Sequence, residues 1–166
     1  MAACSPNVDS HPQSTIRFLL VGGSKLIERS TPPSIAPPIG RYSHLARVSG
    51  PAEWVFISGQ VGQDTEGRLA PDVYSQTLLV FENIKALLAS VGAGPESIVR
   101  LLTFLVGPDE TCMAEFARAR NEVYAEWFPE GDVPGHSLSM APALARPDVL
   151  VEVEGWAAIA PGSRAS

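Results

Sequence analysis

The residues whose types suggest chemistry lie close together in the last third of the chain. Glu152 and Glu154 belong to residues 149–157, where apolar and polar side chains alternate as they do in a strand. Alternation places both carboxylates on one side of that strand, and burying an ionised carboxylate costs several kcal/mol unless it is paired or hydrogen-bonded. Such a group could transfer a proton in catalysis, or it could be an ordinary strand carboxylate that faces solvent or a lysine.

His136 is the second group of interest, and it stands between a Val-Pro-Gly sequence and Ser137. Its imidazole titrates near neutral pH and could serve as an acid, a base or a hydrogen-bond donor. None of the three histidines, His11, His44 and His136, has a Cys or His partner at metal-ligand spacing. No Ser-His-Asp set stands out either. We therefore predict no metal and no organic cofactor.

Composition limits the class of protein. The 166 residues suit one domain with a tail, and 45% apolar with 18% charged residues is a globular balance. A net charge of -6 lacks the basic surface that phosphate backbones require, so we expect no nucleic-acid partner. Cys4 and Cys112 form no disulfide framework. The apolar run at residues 18–23 is too short for a membrane span or a secretion signal, so we expect no membrane partner and a cytoplasmic location.

Proline-rich sequence separates an extension from a compact domain. We expect residues 1–33 to be an N-terminal extension, partly disordered or holding one edge strand, for which residues 16–21 are the apolar candidate. Residues 34–160 form the predicted domain, and residues 161–166 form a C-terminal tail.

Periodicity predicts strands and helices in alternation. Residues 42–48 and 54–58 read as two neighbouring strands, and residues 98–106 as a buried strand. Between them, apolar residues at three- and four-residue steps from near Ser75 predict a helix that Gly92 caps. A second helix is expected to end at Pro129. Its predicted apolar face consists of Phe116, Ala119, Val123 and Trp127.

This order predicts an α+β domain in which two helices pack on one face of a mixed β-sheet. The opposite face of the sheet then needs cover of its own. A second copy of the chain would bury its apolar and small residues most readily.

Several motifs in this order resemble the RidA/YjgF family of enamine and imine deaminases. They are Gly-Arg-Tyr-Ser-His at residues 40–44, Ile-Ser-Gly-Gln at residues 57–60, the first helix at residues 82–88, Asn-Glu-Val-Tyr at residues 121–124, and the sequences around His136 and Glu152. The resemblance covers about three quarters of the chain. It implies the RidA-like, chorismate-mutase-like fold and a homotrimer with sites in the clefts between subunits.

The resemblance also implies roles for individual residues. Glu152 is similar to the glutamate that orients water and shuttles a proton, whereas Glu154 is assigned to structure. The implied substrate-binding residues are Tyr42, Ser58, Gly59, Asn121 and Ser137. For the Ser58 and Gly59 pair the alternative is a plain strand end, and for Asn121 it is a helix-surface amide.

His136 marks the largest departure from the family pattern, because it maps onto the arginine that holds a substrate carboxylate. Imidazole offers at most one donor per nitrogen and cannot reproduce a guanidinium fork. Three alternatives remain open: a catalytic site residue, a ligand contact in a non-catalytic pocket, or a histidine of an ordinary loop. The segment from His136 to Glu152 is also one residue longer than usual, which leaves the alignment there uncertain by one position.

Two arginines bear on this departure. Arg146 lies beyond the family position and does not replace the missing group. Arg41 stands where the family has proline, next to Tyr42, so it either restores positive charge from another wall of the cleft or is a solvated surface residue.

Two functions of different kinds follow. The first is a RidA-like enzyme that hydrolyses an imine or enamine, or catalyses a related proton transfer, on a small reactive metabolite of one biosynthetic pathway. The second is a non-catalytic trimer that binds a small ligand or has a regulatory role. The acidic composition argues against nuclease activity.

Overall fold

The computed structural model describes residues 25–107 and 110–162. The candidate strand at residues 16–21 and the end of the predicted tail, residues 163–166, lie outside that part. The described elements, in chain order, are β1 (Ile27–Ser30), β2 (Leu45–Val48), β3 (Glu53–Val61), α1 (Val73–Ser90), β4 (Ile98–Val106), α2 (Glu110–Trp127), β5 (Gly135–Ala141) and β6 (Val151–Ile159), with one 3-10 turn at Pro95–Ser97.

The predicted α+β class with a mixed sheet is confirmed. Four strands form one sheet in the order β3-β6-β4-β5, in which β4 and β5 run parallel and the other neighbours antiparallel. The remaining two, β1 and β2, form a separate antiparallel pair. Both helices contact the four-stranded sheet, and they also pack against each other.

Helix α1 begins and ends with local capping interactions. The Asp72 carboxylate accepts a hydrogen bond from the Ser75 amide at 2.7 Å, so the helix starts slightly earlier than the apolar periodicity alone predicts. At the other end Gly92 has φ +74°, and the amide of Ala93 returns to the Leu88 carbonyl at 2.9 Å. This is the glycine cap expected from the sequence.

Helix α2 contributes a different set of buried residues from the one predicted. Phe116 and Ala119 are fully buried, but Tyr124 joins them, while Val123 and Trp127 are only partly buried. The buried face of α2 therefore includes Tyr124. The hydroxyl of a buried tyrosine needs a hydrogen-bond partner in the protein.

One expectation about the strands is wrong, and one of the three alternatives for His136 is excluded. The strands around residues 42–48 and 54–58 are not neighbours, because β2 pairs with β1 whereas β3 pairs with the distant β6. His136 does not lie in a loop, because residues 135–141 form β5 at the edge of the sheet. Its sequence, Gly-His-Ser-Leu-Ser-Met-Ala, lacks the β-branched and aromatic residues that identify strands.

The sheet has two unlike faces. One, which we call the helix face, carries the fully buried Leu101, Leu105, Val151 and Val153 beneath the helices. The other, the open face, carries the residues that alternate with them. Phe56 on this face is 72% exposed and Trp54 is 49% exposed. Such apolar side chains on an uncovered sheet favour cover by another protein surface.

Candidate functional site

Glu152 lies on the open face, next to an irregularity in the neighbouring strand. It pairs with Phe104 of β4 and Val61 of β3, and its side chain is half-buried. Within the described residues it has no hydrogen bond and no ion pair. A half-buried carboxylate without a partner is available to a ligand or a water molecule.

Gly59 makes room for that carboxylate. A β-carbon at position 59 would collide with the side chain of Glu152, including its carboxylate carbon and oxygen. The pairing of β3 with β6 shifts register between Ile57 and Gln60, so Ser58 and Gly59 fall in a bulge and are exposed. The side-chain amide of Gln60 donates to the Ser58 carbonyl at 3.0 Å. We call Ser58, Gly59 and Glu152 together the glutamate bulge.

His136 occupies a very different environment on the helix face. It pairs with the fully buried Leu101, and both of its ring nitrogens have partners. Nδ1 lies 2.9 Å from the Tyr124 hydroxyl, and Nε2 lies 2.7 Å from the Thr103 hydroxyl. The imidazole is also edge-on to the ring of Phe116. We call His136, Tyr124 and Thr103 the histidine cluster.

Burial keeps the histidine cluster uncharged. Desolvation, followed by the positive charges of Arg120 and Arg100, lowers the pKa of His136 to about 3. Burial also raises the pKa of Tyr124, so its hydroxyl stays protonated. A neutral imidazole has one donor and one acceptor, which matches two hydroxyl partners. His136 is therefore satisfied by the protein itself at neutral pH.

Within one chain, His136 and Glu152 do not share a cleft. His136 is level with Leu101 of β4 and Glu152 with Phe104, an odd separation that directs their side chains to opposite faces of the sheet. Ser137, one residue further on, alternates with His136 and therefore lies on the open face, as Glu152 does. A shift of one residue in the alignment would therefore exchange a residue on the helix face, His136, for one on the open face, Ser137.

Arg100 is a site candidate that sequence reasoning missed. Its guanidinium donates to the Ser137 hydroxyl at 3.0 Å and lies 5.4 Å from the centre of the Trp156 ring, both on the open face. It stands among apolar residues in the segment 98–106, which the sequence predicts as a buried strand. Its alternation with Leu101 would have indicated that it faces away from the helices.

Tyr42 and Asn121 lie with the histidine cluster and not with the glutamate bulge. Tyr42 lines a cavity of about 610 Å³ beside the edge strand, which we call the edge cavity. The exposed Asn121 borders it through Arg120, whose guanidinium donates to the Asn121 side chain at 3.0 Å. The full lining of the edge cavity is Ile39, Gly40, Tyr42, Met113, Phe116, Ala117, Arg120, His136, Ser137 and Leu138.

The predicted site residues thus fall into two groups. Ser58, Gly59 and Glu152 meet at the glutamate bulge, whereas Tyr42, His136 and Ser137 meet at the edge cavity. No group of three or more His, Cys, Asp or Glu residues within residues 25–107 and 110–162 could hold a metal ion. Over the same residues, neither helix has the length and apolar character needed to cross a membrane.

Known proteins resemble the chain over most of its length. A RutC family protein of Pyrococcus abyssi is 35% identical over 122 residues, which cover 72% of this chain and 87% of that protein. Among solved structures, YyfB of the conserved Rid protein family from Yersinia pestis has a TM-score of 0.71 and 28% identity, covering 81% of this chain and all of that one. Escherichia coli TdcF, solved with bound serine, has a TM-score of 0.59 and 26% identity over 82% of this chain and all of its own.

The family model with the description Endoribonuclease L-PSP matches residues 34–159. This range holds the four-stranded sheet, both helices, the glutamate bulge and the edge cavity. The chain belongs to the RidA/YjgF family, to which that description applies.

Proposed function

We propose that the protein is an enzyme that hydrolyses the C=N bond of a small imine, or of the imine formed from an enamine. Water adds to the imine carbon, and the resulting carbinolamine loses ammonia to leave a carbonyl compound. The reaction needs a group that takes a proton from water and returns one to the departing nitrogen. Glu152 is the residue we assign to this role.

The observation that carries the proposal is the position of the Glu152 carboxylate over Gly59. The side chain is half-buried and has no protein partner among the described residues, and its carboxylate occupies the space that a β-carbon at position 59 would take. The exposed Ser58 and Gly59 in the adjoining bulge could hold a water molecule or a substrate oxygen. A carboxylate kept unpaired in this way is more useful for chemistry than for stability.

Assembly into a homotrimer is part of the proposal. The exposed Trp54 and Phe56 favour contact between the open faces of neighbouring copies. In such an assembly, the glutamate bulge of one copy and the edge cavity of the next could border one cleft, which a single chain cannot provide. Sedimentation equilibrium should give the mass of three chains. A monomer at all concentrations would contradict the proposal that two copies share a cleft.

The solved TdcF structure contains serine, so a relative of this fold binds a ligand of amino-acid size. A 2-imino acid has the same size and also carries a carboxylate. His136 enters this function as a neutral residue that fixes Tyr124 and the wall of the edge cavity, not as the proton donor.

The decisive experiment generates imino acids in solution with an amino-acid oxidase and traps them with semicarbazide. An active protein lowers the yield of semicarbazone, because it hydrolyses the imine first. Glu152→Gln should lower the rate of imine hydrolysis by at least about 100-fold, the lower end of what a general acid or base contributes. Glu154→Gln is the matched control, since it removes the same charge from the same face of β6. Equal activity in both variants would contradict the role of Glu152.

A second function is favoured by the edge cavity, which has a partly buried, neutral histidine and no carboxylate in its lining. The protein would then bind a small molecule without converting it. Saturable binding together with no ammonia release from any imine in the trapping experiment would support this alternative over the enzyme.

A further inference from the structure

Helix α1 carries a glutamine in its buried stripe. Gln76 is only 1% exposed, and Val73 and Val80, one turn to either side, are buried with it. Glutamine is mostly found on protein surfaces, because burying an amide is unfavourable unless its donors and its acceptor are hydrogen-bonded. The groups that Gln76 contacts therefore have to explain its position.

The Gln76 side chain joins two segments that are distant in the sequence. Its Nε2 donates to the backbone oxygens of Ala70 and Asp148, both at 2.9 Å. Its Oε1 accepts from the backbone amide of Leu150 at 2.8 Å. These three bonds use both N–H donors of the amide and one lone pair of its oxygen. One side chain thus ties the segment that follows β3 to the segment that precedes β6.

Gly62 brings the end of β3 against the same side chain. A β-carbon at position 62 would lie 2.5 Å from the Gln76 Cα and 2.6 Å from its Cβ, so a larger residue there would force the strand away from the helix. The Ala70 amide donates to the Gly62 carbonyl at 2.9 Å and closes the loop between them. The chain therefore leaves β3 in direct contact with Gln76.

These contacts surround the strand position that carries the candidate carboxylate. The register of β3 and β6 pairs Val61 with Glu152. Glu152 lies two residues after Leu150, whose amide Gln76 holds. About two turns further along α1, Asn83 donates from Nδ2 to the Val61 backbone oxygen at 3.2 Å. Side-chain amides of α1 therefore hold both strands where they meet at Glu152.

We propose that Gln76 is a positioning residue for Glu152. Glu152 lies on the open face, whereas α1 packs on the helix face, so Gln76 acts through the backbone of β6 and does not touch the substrate. Without its three hydrogen bonds, the segment before β6 is free to move, and the carboxylate shifts relative to Gly59. This role rests on the proposed imine hydrolysis and adds to it a residue outside both the glutamate bulge and the edge cavity.

Steady-state kinetics of imine hydrolysis, measured by semicarbazide trapping, test this role. Gln76→Met keeps the length of the side chain and removes all three hydrogen bonds. It should lower kcat by about 10- to 100-fold, the cost of displacing a catalytic group by about 1 Å, and leave KM nearly unchanged. Thr77→Val is the matched control, because it removes a buried hydrogen bond that stays within α1, from Thr77 to the Val73 carbonyl. Its kcat should equal that of the wild type.

Coupling to Glu152 separates positioning from a general loss of stability. In the Glu152→Gln background, Gln76→Met should have no further effect on kcat, because the carboxylate that it displaces is already gone. An equal loss in both backgrounds would mean that Gln76 only supports the fold, and would overturn the proposal. If Gln76→Met does not fold, as judged by circular dichroism, Gln76→Glu has the same shape and keeps an acceptor for the Leu150 amide. It should also lower kcat and not KM, and full kcat in this variant would overturn the proposal.

Amide NMR spectra distinguish a failure of this proposal from a failure of the proposed reaction. The Gly59 and Glu152 signals should move by more than a linewidth in Gln76→Met and stay in place in Thr77→Val. If the wild type hydrolyses no imine but these signals move, the reaction is wrong and the positioning role stands. If the wild type is active but Gln76→Met keeps both its kcat and the Gly59 and Glu152 signals, the positioning role is overturned and the reaction stands.

Discussion

The glutamate bulge and the histidine cluster lie on opposite faces of the same sheet and treat their ionisable groups in opposite ways. Glu152 is half-buried with no described partner, and Gly59 leaves space for its carboxylate. His136 has a hydroxyl at each ring nitrogen and a pKa lowered to about 3. On the open face, the Glu152 carboxylate is left without a described partner. On the helix face, both nitrogens of His136, a predicted site residue, have hydroxyl partners, and its lowered pKa keeps it neutral.

This difference shows why residue type alone does not identify a catalytic group. Histidine is the usual acid or base near neutral pH, but only when it can exchange a proton within that range. Held between the hydroxyls of the buried Tyr124 and Thr103, the partly buried His136 remains neutral and contributes structure and position. Glu152 has no described partner and keeps the freedom to exchange a proton that the proposed hydrolysis would require.

The largest effect should come from filling the space at Gly59. Gly59→Ala places a methyl group against the Glu152 carboxylate and should lower imine hydrolysis by about 100-fold, as far as Glu152→Gln does. The semicarbazide assay measures this loss. Combining the two substitutions should add little, because both remove the same carboxylate position.

Gly135→Ala serves as the control for that substitution. Position 135 is also a strand glycine of the same sheet, but the nearest atoms to an added β-carbon are 3.7 Å away, which is ordinary contact. Its activity should stay close to that of the wild type. If Gly59→Ala retained full activity, the geometry of the bulge would not matter for catalysis.

Local patterns predicted those parts of the fold whose signals are local. Strand β4, the glycine cap of α1 and the alternation of β6 follow from period and capping residues. The pairing of β3 with β6 could not be predicted in the same way, since it depends on contacts far apart in the sequence. Strand β5 was missed because its serines and glycine are typical of loops.

The candidate site was only partly accessible from sequence. Alternation correctly separated Glu152 and Glu154 from the buried valines of β6, but the face of His136 depends on the register of a strand that was not recognised. Arg41 was considered as a positive charge in another wall of the cleft, and its contact with Asn121 is visible only in three dimensions.

A smaller effect, on the free energy of unfolding, should distinguish the hydroxyl of the buried Tyr124 from that of Tyr74, whose hydrogen bond is exposed. Tyr124→Phe leaves one nitrogen of the partly buried His136 without its partner and should lower the free energy of unfolding by about 1 to 3 kcal/mol. Tyr74→Phe removes an exposed hydrogen bond to Glu122 and should change it by less than about 0.5 kcal/mol. Urea unfolding followed by fluorescence measures both. Equal losses would mean that the histidine cluster is not a buried network.

The smallest effect concerns the dependence of stability on pH. The pKa of His136 is lowered from 6.5 to about 3 on folding, so below pH 6.5 the unfolded chain binds a proton that the folded chain does not. His136 therefore stabilises the fold fully above pH 6.5, and this contribution is lost as pH falls towards 3. Between pH 7 and pH 5 the loss should be about 1 to 2 kcal/mol.

His136→Gln keeps a donor and an acceptor but does not titrate, so this part of the pH dependence should disappear in the variant. The carboxylates of Asp64, Asp72 and Asp148, whose pKa values are lowered by hydrogen bonds, titrate in both proteins and cancel in the comparison. Unfolding free energies at pH 7, 6 and 5 for the wild type and the variant measure the difference. Parallel curves would mean that His136 has the same pKa in the folded and the unfolded chain. The contrast between the two faces of the sheet would then fail, because the imidazole would exchange protons as freely as the carboxylate.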